Sequence, residues 1–317
     1  MVWNLEDTAM FNLLSKRYLY FAISLIIILP GLIVIAIWGL PLSIDFTGGS
    51  MLELKFTEAV APAPSDIILL YQGAGVVDAQ VTTTSSGEYI IRSSFIDEDK
   101  RIELVNAMAD KFGVEPTVLS YDSVGPTIGQ EVTNRAGLAI AVAAIAVILF
   151  ITFSFRGIAH SLRYGVCAIL AMLHDVLIVI SVSAIGGHFF SWQIDSLFLT
   201  ALLTVIGFSV QDKIVVFDRI RENSAIYRRL PFEVLVNHSI VQTLQRSINT
   251  QLMTSEFMLL AMALFGGVTL REFSLILLIG LLMGTYSSLF IAAPSLVIWE
   301  NQEWKNWFKG KGKTVQA

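Results

Sequence analysis

The chain has 317 residues, 55% of them hydrophobic and 15% charged, where a water-soluble protein carries about 25% charged residues. With a mean hydropathy of +0.68, much of its surface must face lipid. A formal net charge of −5 offers no basic surface for nucleic acid. The single cysteine, Cys167, excludes a disulfide framework or a thiolate metal site, and no two histidines have zinc-ligand spacing.

A helix crosses a bilayer with about 20 apolar residues. The first such run, Tyr18–Trp38, follows Lys16 and Arg17. It is longer than a signal-peptide core and no small-residue cleavage site follows, so it reads as an uncleaved signal anchor.

The long polar segment Pro41–Arg135 comes next. Leu52, Leu54 and Phe56 alternate with Glu53 and Lys55, the pattern of a half-buried strand. Pro62 and Pro64 break the chain, and Ser65 is placed to cap a short helix through Leu70. Gln80–Thr83 and Tyr89–Ser93 flank Ser85, Ser86 and Gly87 as a hairpin. Asp97 is placed to cap a second helix with Ile102, Val105, Met108 and Phe112 at core spacing, and Val118–Tyr121 forms a last strand. The order β-α-β-β-α-β is the ferredoxin-like pattern. The segment has neither a catalytic cluster nor a Gly-rich phosphate loop, so it reads as a docking or moving part, or as a solvated spacer.

Five further apolar runs follow: Ala136–Phe153, Tyr164–Ile185, Ile194–Phe217, Ile248–Phe265 and Phe273–Trp299. Lys16, Arg17, Arg156, Arg163, Arg219, Arg221, Arg228, Arg229, Arg246, Lys305, Lys309, Lys311 and Lys313 all fall on one side of these spans. Lys and Arg mark the cytoplasmic face, so both termini are expected inside and the long segment outside. That segment carries 14 acids against 5 Lys or Arg between Pro41 and Thr133, as suits an exported domain. The expected fold is an α-helical polytopic membrane protein with six spans and an external α+β domain. Its parts are 1–40 (cytoplasmic N-terminus and first span), 41–135 (external, periplasmic-side domain), 136–299 (five-helix bundle with a cytoplasmic loop at 218–247) and 300–317 (basic cytoplasmic tail).

Ionisable side chains inside hydrocarbon cost about 2.5–3.5 kcal/mol each on insertion scales and need a reason. His174 and Asp175 lie mid-way along the third span, Asp212 and Lys213 in the fourth, and Glu256 in the fifth. A carboxylate part-way into a bilayer favours its protonated form unless a cation faces it. Asp212 is therefore a proton-relay candidate, or else half of a buried pair that fixes helix packing. Asp175 with His174 reads as a functional pair or as a satisfied contact between helices. Lys213 is long enough to snorkel to the cytoplasmic surface, and Glu256 reads as structural or partly exposed. Arg246, just before the fifth span, is either one more cytoplasmic positive charge or the cation for Asp212. Gly280 and Gly284 form a small-residue face in the sixth span that permits close helix contact, internally or with a partner. Gly207 and Ser209 offer the same near Asp212.

Several long motifs, in order, give a family resemblance along nearly the whole chain. IDFTGG (Ile44–Gly49, with Asp45, Gly48 and Gly49) opens the external domain as in the SecD/SecF family of the resistance-nodulation-division superfamily, on its SecF side. VGPTIGQEV (Val124–Val132, with Gly125 and Pro126), Phe155 with Arg156, and the third-span HDV (His174, Asp175, Val176) are similar to that family's segments. So are GFSVQDKIVVFDRIREN (Gly207–Asn223, with Gly207, Asp218 and Arg219), RSINT (Arg246–Thr250) and Phe265–Ser288. Phe208, Gln211 and Lys213 depart from the Tyr, Asn and small hydroxyl residue usual in the family.

The resemblance implies a subunit that joins a SecD-type partner beside the SecYEG channel, with YajC- or YidC-type accessory proteins. It would help unfolded preprotein across a bacterial inner (plasma) membrane, driven by the proton gradient. It implies no cofactor and no enzymatic reaction. The family's proton-conduction residues fall on Asp212 and Arg246, with His174, Asp175 and Lys213 as a secondary polar site. Three other readings are a non-conducting assembly subunit, which Lys213 favours, a small-molecule exporter of the same superfamily, and an intramembrane aspartyl protease. The external domain and export motifs argue against the exporter, and the lack of a GxGD motif at Asp175 or Asp212 argues against the protease.

Overall fold

The structure is a computed structural model, described here for residues 12–57, 61–84, 87–154, 156, 161–251, 257–266 and 268–307. The chain divides into two compact units, one formed by Leu42–Ala139 and the other by the residues before and after it.

In the first unit the chain order is α2 (Ile44–Thr47), β1 (Gly49–Lys55), α3 (Pro64–Gly73), β2 (Gln80–Thr83), β3 (Glu88–Ser93), α4 (Glu98–Phe112) and β4 (Thr117–Val124). Its sheet is antiparallel with strand order β2-β3-β1-β4. Alternation along β1 puts Leu52, Leu54 and then Phe56 into a core shared with Ile67 and Tyr71 of α3 and Leu104, Val105 and Met108 of α4. Asp97 caps α4 by accepting the Lys100 N–H at 2.9 Å, and left-handed Gly113 closes it.

Two details differ from the sequence reading. Pro64 occupies the first turn of α3 and Ala63 the cap position, so Ser65 lies inside the helix. Ile102 is 44% exposed and Leu104 is fully buried in its place, because a helix of α4's length turns only one stripe to the sheet. Ser85 and Ser86 lie outside the described residues.

The double glycine of IDFTGG has a steric cause. Gly48 has φ +72° and a Cβ there would lie 2.8 Å from the Pro126 Cα. Gly129 approaches Gly48 as closely: a Cβ on it would meet the Gly48 nitrogen at 2.6 Å. The Thr133 hydroxyl donates to the Phe46 carbonyl at 2.9 Å. The IDFTGG and VGPTIG motifs are thus two halves of one contact. Gly125 accepts the N–H groups of Ile128 and Gly129 at 3.0 Å, starting α5. The Asp45 N–H donates to the Ser43 hydroxyl at the head of α2.

The second unit contains α1 (Arg17–Trp38), the later part of α5 (Pro126–Ser154), α6 (Ser161–Phe190), α7 (Ser196–Ile226), α8 (Phe232–Gln251), α9 (Phe257–Phe265) and α10 (Val268–Ser287). A π-helical turn (Ser288–Ala292), α11 (Ala293–Glu300) and α12 (Trp304–Trp307) end it. Five helical stretches among the described residues are long and apolar enough to cross a membrane: residues 14–38, 126–154, 162–190, 196–226 and 270–300. The run expected as the fifth span, Ile248–Phe265, is divided between the end of α8 and α9, and residues 252–256, with Glu256, lie outside the described residues.

Small residues set the close packing. A Cβ on Gly31 of α1 would sit 2.2 Å from the Ser181 Cβ of α6, and one on Gly280 of α10 would sit 2.2 Å from Val205 of α7. Gly284 packs on Ser209 of α7 at ordinary contact distance, so the α10 face serves packing within the chain. Gly207 points the other way, into open space, and is exposed. At the end of the helices Arg17 joins Glu233 of α8 at 2.7 Å and Glu303 at 2.8 Å. Asn223 donates to Ser239 at 2.8 Å, and Arg219 to Gln242 at 2.6 Å.

Candidate functional site

Two carboxylates, Asp175 on α6 and Asp212 on α7, are buried where α1, α6, α7, α8 and α10 meet. Their surroundings differ in kind.

Asp175 is 1% exposed and accepts four donors. Its Oδ1 faces the His174 Nδ1 at 2.9 Å. Its Oδ2 accepts from Ser209 at 2.5 Å, from the Lys213 ammonium at 2.7 Å and from Ser287 at 2.7 Å. The His174 Nε2 meets the Ser24 hydroxyl of α1 at 2.7 Å. Hence the HDV motif ties α6 to α1, α7 and α10 through one histidine and one carboxylate.

Lys213 is 0% exposed. Its side chain does not snorkel: it runs back one helical turn to the Ser209 carbonyl at 3.3 Å and the Ser209 hydroxyl, and across to Asp175. The physical reason is that a buried carboxylate on the next helix compensates the ammonium better than a long reach to a distant surface. Adjacent positions on a helix point about 100° apart, so the neighbouring Asp212 has a different environment.

Among the described residues, the Asp212 carboxylate is hydrogen-bonded by serines alone. Ser247 of α8 donates to its Oδ1 at 3.0 Å and Ser288, the first residue of the π turn, to its Oδ2 at 2.6 Å. The Ser288 hydroxyl also lies 2.8 Å from the Thr285 carbonyl. It therefore has two acceptors for one proton. π turns occur mostly as single-turn bulges inside α-helices, frequently at functional sites.

Arg246 is exposed and, among the described residues, makes no ion pair with Asp212. The next residue, Ser247, makes the contact from α8. Asp218 pairs with Arg221 at 2.6 Å, and Arg219 with Glu222 at 2.8 Å, both along α7. The structure therefore gathers His174, Asp175, Lys213 and Asp212 at one level and leaves Asp218 and Arg219 farther along α7, away from that cluster. Sequence reasoning missed the serines Ser24, Ser247, Ser287 and Ser288. Their signal was faint but present: Ser247 sits inside RSINT, and the Ser287–Ser288 pair ends the small-residue face of α10. No group of three or more His, Cys, Asp or Glu able to hold a metal occurs among the described residues.

Comparison with known proteins fits this arrangement to a family. The family described as protein export membrane protein SecD/SecF, C-terminal, matches residues 104–302, and the SecD/SecF GG motif matches residues 33–60. The protein translocase subunit SecF of Anaerolinea thermophila is 66% identical over 308 residues, 97% of this chain and 100% of that one. The SecF of Thermobaculum terrenum is 44% identical over 95% of this chain and 97% of its own. The crystal structure of SecDF, a translocon-associated membrane protein from Thermus thermophilus, superposes with a TM-score of 0.80 at 32% identity. That match covers 95% of this chain and 40% of the longer SecDF chain. With a family match over more than half its length, the buried carboxylate cluster and the double-glycine motif, the chain belongs to the SecD/SecF family of protein export membrane proteins.

Proposed function

We propose that the chain is a SecF-type subunit that works with a SecD-type partner beside the SecYEG channel to help preprotein export, and that it draws on the proton gradient through Asp212. The observation that carries the proposal is the serine cage. An ionised Asp212 accepts from Ser247 and Ser288. On taking up a proton it donates its O–H to the Ser288 oxygen, and the Ser288 hydrogen turns to the Thr285 carbonyl 2.8 Å away. Hydroxyls donate and accept with equal ease, so the site is satisfied in both protonation states. A proton carrier needs that property.

In this reading Arg246 is the cation that faces ionised Asp212 in another stage of the cycle. Its position one residue before Ser247 on α8, about 100° around the helix, supports that reading. Six spans, a ferredoxin-like external domain, an inner-membrane location and cytoplasmic termini complete the proposal. The Lys and Arg distribution supports that orientation, and the β2-β3-β1-β4 sheet supports the domain type. SecDF relatives, in which both parts are one chain, support a SecD-type partner. The role is transport, without a catalysed covalent step.

The test is reconstitution with the SecD-type partner and the channel, with translocation measured with and without a proton gradient. Parent and Asp212→Asn are compared at equal complex yield. Loss of the gradient-dependent part in the variant is the expected result. The fully compensated Lys213–Asp175 pair favours a second reading, a non-conducting scaffold subunit. Full retention of the gradient-dependent part by Asp212→Asn would establish that reading instead.

A further inference from the structure

Lys213 takes no part in the proton step proposed above, yet its ammonium is wholly buried. An ammonium has three donors and no acceptor. Here all three have partners: Asp175 Oδ2, the Ser209 carbonyl and the Ser209 hydroxyl. Asp175 in turn receives His174 on Oδ1 and Ser209, Lys213 and Ser287 on Oδ2, four donors on one carboxylate. A proton added to Asp175 would cancel the charge that compensates the buried Lys213 ammonium and leave an unpaired buried cation, the costly arrangement for a buried pair. The Asp212 cage carries no such restriction.

The two carboxylates also grip neighbouring residues on the same two helices. On α7 the residue that binds Asp175, Lys213, directly follows Asp212. On α10 the residue that binds Asp175, Ser287, directly precedes Ser288, the partner of Asp212. A fixed bond at Asp175 therefore sets the distance at which Ser288 meets Asp212. The groups facing the cluster are His174 from α6, with Ser24 of α1 and the stacked Tyr286 ring beyond it, and Ser209 and Lys213 from α7. From α8 come Ser247 and, one residue before it, Arg246; from α10 and the π turn come Ser287 and Ser288.

We propose that Lys213 is a positioning residue: a resident cation that makes Asp175 a permanent tie between α6, α7 and α10 and leaves Asp212 as the exchangeable carboxylate of the two. This rests on the reading of Asp212 as a proton carrier. It assigns a role to a buried cation that the proton step leaves unused.

The experiment follows the infrared absorption of buried protonated carboxyl groups while the full chain, in lipid nanodiscs, is titrated with acid. In the parent, one titrating band is expected. It disappears in Asp212→Asn and persists in the double variant Asp175→Asn/Lys213→Thr, which removes both charges and leaves no unpaired ion to unfold the chain. Lys213→Thr alone gains a second band, and adding Asp175→Asn removes it. A parent band that survives Asp212→Asn but is lost in the double variant overturns the proposal. So does the absence of any titrating band in the parent, or a folded Lys213→Thr chain with no new band. These readouts count protons on side chains and involve no translocation. If the band pattern holds while Asp212→Asn keeps gradient-driven export, the coupling reading alone falls and the tie stands.

Discussion

Substituting Lys213 by Met keeps the length and apolar stem of the side chain and removes only the ammonium. Asp175 is then left 1% exposed with its charge uncompensated. Interhelical hydrogen bonds in membranes are worth only about 0.6 kcal/mol on average, and if Lys213 were one more such bond its loss would be minor. Removing one partner of a buried ion pair costs about 3–5 kcal/mol, because the remaining charge has lost its neutraliser. The second effect dominates here, since Lys213 is the only cation within 4.0 Å of Asp175 apart from the titratable His174 among the described residues. The double variant Asp175→Asn/Lys213→Met leaves no charge, and Ser209, Ser287 and His174 can still bond the amide. It should recover about 2 kcal/mol or more of the single-variant loss. The assay is a double-mutant cycle on unfolding free energy of the full chain in bicelles, for example by steric trapping. Small single costs that add in the double variant would refute the argument and make the pair incidental.

Other outcomes follow from the same geometry. Ser288→Ala removes one of the two serine hydrogen bonds to Asp212 and should lower gradient-dependent translocation at unchanged complex yield, while Ser288→Thr, which keeps the hydroxyl, restores it. Gly31→Leu must push α1 off Ser181, since even a Cβ there would lie 2.2 Å from the Ser181 Cβ; a loss of about 1–3 kcal/mol is expected from overpacking, read as faster thermal aggregation in detergent. Gly48→Ala combines a φ of +72° with a 2.8 Å approach to Pro126 and should cost about 1–2 kcal/mol from the left-handed backbone alone. Hydrogen exchange of β1 and β4 amides in the full chain measures it. Burial and the charge of Arg219 hold His238 of α8 below the ordinary histidine value of 6.5. The unfolded chain therefore takes the proton first, and stability present above 6.5 is lost as pH falls below it. Exchange protection in α8 should weaken over that interval, and His238→Gln should remove the pH dependence.

The sequence carried the α+β unit Leu42–Ala139 well because its signals are local. Alternation at Leu52, Leu54 and Phe56 and the cap at Asp97 each act within a few residues, and the observed strands fall where those signals lie. Ile102 was misplaced because helical spacing alone does not say which of two adjacent stripes meets the sheet. The apolar runs located α1, α6, α7 and α10, but α7 continues past Phe217 to Ile226, and the run Phe273–Trp299 is shared among α10, the π turn and α11. The carboxylate cages were far less legible. Asp175 and Asp212 stood out as charges in hydrocarbon, but serines are common in membrane helices, and nothing in Ser247 or Ser287 taken singly marks it as a ligand. Lys213 was read as reaching for water because a lone sequence does not reveal that Asp175 lies one helix away.

The π turn at Ser288–Ala292 sets a phase. One extra residue in a turn offsets everything beyond it by about 100° relative to a continuous α-helix. At its start, Ser287 and Ser288 face the two aspartates. Downstream, Glu300 faces Arg163 of α6, and Glu303 faces Arg17 of α1. With the turn in this place both sets of partners are met at once. A single-residue deletion there would leave composition and hydropathy almost unchanged, yet force the last helix to choose between its grip inside the bundle and its anchorage at the end. The length of this segment is thus under tighter constraint than the identity of its apolar side chains.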